Sequence, residues 1–232
     1  MHIELSEKPR DVTIVEGFPG FGLVSTISTE FLVEHLDAKP IGKIWSEKLF
    51  PLVAIHNSKI VQPLEVFYVK SKNLIILHAI SNIKGLEWEI SEMIIELAKE
   101  VKAKEIISLE GVGAVDGKGE AFFYSNINKD GLSKLGITPL KEGIVVGVTG
   151  ALLLKQDEIP LSCIFVETQS GLPDSKAAAK IIEILDKYLN LGVDYKPLLK
   201  MAKQFEGKIK NIIDQSNKVR VDSDKKILHY LG

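Results

Sequence analysis

The chain has 232 residues, 45% of them hydrophobic, with a formal net charge of −2 and a single cysteine. That length and apolar share suit one sizeable core better than two small domains, and the near-balanced charge removes the electrostatic case for nucleic acid or an anionic membrane as a partner. One cysteine cannot form an internal disulfide, no apolar run reaches membrane-spanning length, and the polar start Met1 to Lys8 does not read as a signal peptide, so the expected location is cytoplasmic.

Asp11 to Val15 alternates β-branched and short polar residues and reads as a strand. Glu16 to Ser25 follows as a tight turn, after which Ile27, Phe31, Leu32 and Leu36 share one helical face. Gly17, Gly20 and Gly22 invite a phosphate-cradle reading, because bare N–H groups at a helix start attract anions. Their spacing, G-x-x-G-x-G, misses the dinucleotide fingerprint, which favours glycines that serve packing. Gly111 to Gly119 is a second glycine cluster, and it fails the P-loop register.

Pro40 to Asn57 and Lys59 to Lys70 read as successive strands with Asn57-Ser58 as a hairpin turn. Leu74 to Ile80 is continuous enough to be covered on both faces. Leu86, Ile90, Met93, Ile94, Leu97, Ala98 and Val101 mark a helix, and Glu105 to Leu109 the next buried strand, followed by the long loop Gly111 to Gly119. Ala121 to Tyr124 reads as a short strand, Asn126 to Gly136 as a short helix with its turn, and Ile144 to Val148 as another strand. Leu161 to Glu167 is the last core strand, and Asp174 is placed to cap the helix Lys176 to Asn190. Strands alternating with helices predict an α/β fold: a mostly parallel mixed sheet flanked by helices, with antiparallel edges at the hairpin-like entry region.

Past Gly192 the pattern changes. Tyr195, Leu198, Ala202, Phe205, Ile209 and Ile212 step by three and four, so 193–216 reads as an amphipathic, heptad-patterned helix beyond an α/β core of residues 1–192. Its apolar seam of Leu198, Ala202, Phe205, Ile209 and Ile212 needs a partner, either its own domain or another subunit. Residues 217–232 form a polar tail with an apolar tip, Leu228, His229, Tyr230, Leu231 and Gly232. Such a tip calls for burial, by folding back or by inserting into a partner.

The chemistry-bearing residues are sparse. None of the five histidines is spaced for metal binding, and His78, inside an apolar strand, reads as a core residue. Cys163 falls in an apolar run and reads as a small buried hydrophobe. Only Arg10 and Arg220 are arginines, and neither is placed to clamp a phosphate or carboxylate in a pocket. Glu16, Glu110, Asp116 and Glu167 fall at strand ends, where α/β enzymes keep their chemistry. No nucleophile elbow or zinc motif accompanies them.

Five segments taken in order carry a resemblance: Gly17-Phe-Pro-Gly-Phe-Gly22, Leu109-Glu-Gly111, Gly147-Val-Thr-Gly-Ala-Leu152, Phe165-Val-Glu167, and Leu172-Pro-Asp174 with Ala177-Ala-Ala179. The sequence resembles the archaeal branch of the proteasome assembly chaperone family, type 2, from about Asp11 to Met201. The resemblance implies a nucleoside-phosphorylase-like α/β fold, homo-oligomerisation, no cofactor and no established catalytic activity, although relatives are often labelled ATP-grasp enzymes. For some archaeal members it also implies binding of proteasome α subunits through a C-terminal hydrophobic-Tyr-any tail. Here Tyr230 stands third from the end after His229, where that motif wants it second from the end after an apolar residue.

Two expectations follow. The first is a non-enzymatic assembly factor that binds α subunits through Leu228 to Gly232. The alternative is a nucleoside- or nucleotide-binding enzyme that uses Gly17, Gly20 and Gly22 with Glu110, Asp116 and Glu167.

Overall fold

The computed structural model of the protein describes residues 1–49, 53–56, 59–81, 83–113, 119–168 and 172–200, together with 207, 210 and 211. The heart of the fold is four parallel strands, β7 (Leu74–Ala79), β2 (Thr13–Gly17), β8 (Glu105–Gly113) and β11 (Leu161–Thr168), adjacent in that order. On one side the sheet continues antiparallel through β6 (Leu64–Val69), β3 (Lys39–Trp45) and β1 (His2–Leu5). On the other, β9 (Ala121–Ser125) runs antiparallel to β11 and carries the two-residue β10 (Thr138–Pro139) at its edge. The result is a nine-stranded mixed sheet with a parallel centre.

Side-chain alternation explains why these apolar runs are covered on both faces. Ile14, Ile75, Leu77, Ile106, Cys163 and Phe165 point to one face, where α2 (Glu87–Glu100) and α4 (Gly147–Leu154) lie. Val15, Ile76, Ile107, Leu109, Ile164 and Val166 point to the other, where α1 (Val24–His35) and α5 (Ser175–Leu189) pack against each other. A strand buried on both sides has no solvent face to keep polar, hence the near-continuous Val, Ile and Leu runs. The short α3 (Lys129–Ser133) lies within the span predicted to be a short helix.

Asp174 caps α5 as expected: Oδ1 accepts from the N–H groups of Lys176 and Ala177 at 3.1 and 3.0 Å, and Oδ2 accepts from the Thr168 hydroxyl at 2.8 Å. Cys163 is buried in the core. His78 is also a core residue, with Nδ1 2.8 Å from the Thr29 hydroxyl and Nε2 3.0 Å from Glu30 Oε2.

Three predicted elements differ, and one strand was not predicted. Ile144 to Val148 is not a strand: Gly147 takes a φ of +76° and opens α4, while Ile144 and Val146 stand exposed. The β-branched run imitates a strand, but β11 is already flanked by β8 and β9, so no central edge is left for it to join. The polar N-terminus supplies an unforeseen strand, β1, in register from His2 opposite Trp45 to Leu5 opposite Gly42. Pro40 to Asn57 breaks after Trp45, and β4 (Ala54–His56) instead pairs with β5 (Lys59–Val61) in a separate two-stranded ribbon. The register of His56 opposite Lys59 leaves a two-residue connection where Asn57-Ser58 was expected, although those two residues lie outside the described ones. Lys59 to Lys70 likewise splits at Gln62-Pro63, where proline has no N–H to give a ladder.

The C-terminal helix is described over α6 (Lys196–Lys200), which packs against α5, with Leu198 buried in the α1–α5 core. Ala202, Phe205, Ile209, Ile212 and the whole tail, Leu228 to Gly232 included, lie outside the described residues. Among the described residues, no helix is long and apolar enough to cross a membrane.

Candidate functional site

The parallel centre places the carboxyl ends of β2 and β8 side by side, and the turn after β2 and the start of α4 fold over them. Between these elements lies a cleft of about 460 Å³, lined by Glu16, Phe18, Gly20, Phe21, Glu110 and Thr149, by Lys84 and Glu87, and by neighbouring apolar residues. The glycine turn is fitted to this arrangement. A Cβ at Gly17 would run into Thr29 and the Ser25 carbonyl, so the glycine lets β2 end tight against α1. Gly22 takes a φ of +66° and packs against Thr168, where a Cβ would come within 2.9 Å of its side chain. Gly20 leaves room for the Glu110 carboxylate.

Glu16 and Glu110 are joined by two hydroxyls. Glu16 Oε1 is hydrogen-bonded to the Ser108 hydroxyl, Ser108 Oγ lies 2.8 Å from Thr149 Oγ1, and Thr149 Oγ1 lies 3.2 Å from Glu110 Oε2. The three links need three protons, and the two hydroxyls supply only two. The third belongs to a carboxyl, so the pair of glutamates shares one proton when the chain is complete.

Both carboxyls are held protonated well above their ordinary range, Glu16 more strongly. Burial raises the Glu16 pKa to about 8, and the nearby Glu110 charge adds to the effect against the opposing hydrogen bond from Ser108. Burial also raises Glu110, to about 7, but Thr149 and the backbone N–H groups of Phe21 and Gly111 stabilise its charged form. With the proton on Glu16 the line runs Glu16 O–H to Ser108, Ser108 to Thr149 and Thr149 to the Glu110 carboxylate; with it on Glu110 the line runs the other way, with Ser108 donating to Glu16.

This geometry can hold one proton and pass it along a hydrogen-bonded line. It does not cradle a phosphate: the Phe21 N–H donates to Glu110 Oε1 at 3.4 Å, so a carboxylate already occupies the head of the glycine turn. Among the described residues no group of three or more His, Cys, Asp or Glu is placed to hold a metal ion.

Of the residues suspected from sequence, Gly17, Gly20, Gly22, Glu16 and Glu110 are brought to this one corner. Glu167 is not: it lines a neighbouring depression with Phe122 and Ile144, and accepts the Glu120 N–H at 3.2 Å. Asp116 lies outside the described residues. Sequence reading missed Ser108 and Thr149. A serine within the apolar run of β8 was the available signal, since a buried hydroxyl needs a partner.

The model of the PAC2 family matches residues 14–213. The structure of Pyrococcus furiosus PbaA, described as an archaeal homolog of proteasome-assembly chaperone, superposes with a TM-score of 0.84 at 30% identity, covering 94% of this chain and 100% of that one. The fold is shared with P. furiosus PbaB, described as an archaeal proteasome activator, with a TM-score of 0.74 at 24% identity over 91% and 98% of the two chains. An uncharacterized protein of Methanocaldococcus jannaschii is 29% identical over 228 residues, 94% of this chain and 92% of its own. With the family model spanning most of its length, the chain belongs to the PAC2 family.

Proposed function

We propose that this protein is a proteasome-assembly chaperone-like factor that binds proteasome α subunits, acting as a homo-oligomer that presents its C-terminal tips. The observation that carries the reading is the likeness to PbaA along the whole of both chains. In this reading residues 1–192 are the core, 193–216 a helix whose start packs on α5 through Leu198, and 217–232 the tail. Leu228, Tyr230 and Leu231 enter an apolar pocket between α subunits while the terminal carboxylate meets a basic group. One such tip buries few side chains and binds weakly, and several held on one assembly gain through effective concentration. Pull-down of purified α subunits by the full chain, but not by a chain ending at Ile227, tests the proposal. Equal capture by both would remove the tail from it.

The shared proton between Glu16 and Glu110 in an open cleft supports a second reading, a small-molecule enzyme of nucleoside or nucleotide chemistry. Calorimetric titration with a panel of nucleosides and nucleotides tests it. Saturable binding lost in Thr149→Val supports this reading, and no heat across the panel rejects it.

A further inference from the structure

The cleft over the ends of β2 and β8 combines an acid pair with apolar walls. Glu16 and Glu110 point to the same face of neighbouring parallel strands, because Glu16 stands opposite Ser108 and Glu110 lies two residues beyond it. Glu16 is only 1% exposed, yet it lines the cleft. Phe18, Ile83 and Val148, all buried, supply the walls. A carboxyl buried this far either finds a positive partner or gives up its charge. Among the described residues no lysine, arginine or histidine pairs with either acid: what acts on them is burial, the hydroxyls of Ser108 and Thr149, backbone N–H groups and, for Glu16, the charge of Glu110. The other titratable groups near the pair are the buried Cys163 thiol of β11 and, in the lining, the exposed Lys84 and the half-buried Glu87 at the entry to α2. The shared proton stands where a counter-ion is missing.

We propose that this cleft binds a primary alkylammonium ion, its charged end between Glu16 and Glu110 and its stem against Phe18, Ile83 and Val148. The lining selects that class. A phosphate or carboxylate would meet two acids and a Phe21 N–H already engaged by Glu110, and no arginine is among the described lining residues. A hydrated divalent ion would set its water shell against apolar walls, and among the described residues no third His, Cys, Asp or Glu joins the pair to hold it. The volume of about 460 Å³ has room for a stem of about four carbons. On binding, the ammonium enters charged and the shared carboxyl proton leaves to solvent, so one positive charge replaces another. With both acids ionised, the Ser108 hydroxyl donates to Glu16 and the Thr149 hydroxyl to Glu110, and the ammonium N–H groups stand in for the departed proton.

The inference shares its cleft with the nucleoside reading but does not rest on it: a nucleoside panel contains no alkylammonium ion, and its result decides that reading alone. Calorimetric titration of the full-length chain with n-butylammonium chloride at pH 7 and fixed ionic strength is the test, repeated in phosphate and HEPES buffers, whose different heats of ionisation count the protons released. Saturable binding with a Kd on the order of 1 mM, and about one proton released per amine, is expected. n-Butanol, the same stem without charge, and butyrate, with the opposite charge, should give no saturable heat. Glu110→Gln should weaken amine binding on the order of 10-fold, and Lys84→Glu, an exposed change that removes a like charge from the lining, should strengthen it. No saturation at about 50 mM amine, butanol binding as tightly, binding without proton release, or wild-type affinity in both variants would overturn the proposal. The wild-type proton count and the butanol comparison need no variant, so they decide the matter whether or not Glu110→Gln folds.

Discussion

Gly20 and Glu110 are fitted to one another: the Glu110 carboxylate lies in the space that a Cβ at residue 20 would occupy, and its Oε1 accepts the N–H of the next residue, Phe21, at 3.4 Å. The glycine turn is thus closed by the protein's own acid. Gly111, next in β8, is more constrained still, because its Cβ would meet the backbone carbonyl of Phe21 rather than a side-chain tip. Gly20→Ala is expected to cost about 1–2 kcal/mol, and Gly111→Ala more. The loss at Gly20 should shrink in a Glu110→Ala background, which removes the clashing oxygen. Urea denaturation of the four variants, analysed as a double-mutant cycle for the Gly20 and Glu110 pair, checks both the ordering and the coupling.

The shared proton makes stability depend on pH in a defined direction. In the unfolded chain both carboxyls ionise near 4.5; in the folded chain Glu16 holds its proton to about 8 and Glu110 to about 7. Between these limits the native state binds more protons than the unfolded state, so stability falls as pH rises. The contribution is complete below about 4.5 and lost above about 8. Burial raises Glu105 as well, in the same sense. Tm is expected to be roughly 5–10 °C lower at pH 8.5 than at pH 5.5, and Glu16→Gln, neutral throughout, should flatten the slope. A Tm that rises over this range would contradict the raised pKa values of the pair.

Thr149 is the middle of the Glu16–Ser108–Thr149–Glu110 line, and its replacement separates the acids. Thr149→Val preserves shape but leaves Ser108 short of a partner and Glu110 without its hydroxyl donor. A loss of about 1–3 kcal/mol is expected, with Thr149→Ser recovering most of it. Thermal melts of the two variants distinguish a lost hydrogen bond from lost volume.

Cys163 sits in the core with its thiol pushed well above the ordinary range, by burial first and then by the charges of Glu16 and Glu110. Native protein should therefore resist iodoacetamide at pH 8, and labelling should appear only with unfolding. Mass spectrometry across a denaturant series reads this directly.

Much of this architecture was readable before any coordinates. Val15, Ile76 and Ile107 lie in uninterrupted apolar runs because their strands are covered twice, and Asp174 precedes a helix with its apolar residues at the right spacing. What misled was a local pattern with a non-local answer. Ile144 to Val148 has the composition of a strand and no free neighbour to pair with, and His2 to Leu5 is a strand only because β3 offers an edge. The same holds at the cleft. Glu16 and Glu110 stood out as strand-end acids, whereas Ser108 and Thr149, 41 residues apart, acquire meaning only when β8 and α4 are brought together.

The central claim is that the tail delivers this protein to proteasome α subunits, and native mass spectrometry of the full-length chain mixed with purified α subunits tests it most directly. The full chain should give mixed complexes, and the same chain without residues 228–232 should fold and self-associate normally yet give none. Mixed complexes of equal abundance with and without those five residues would contradict it.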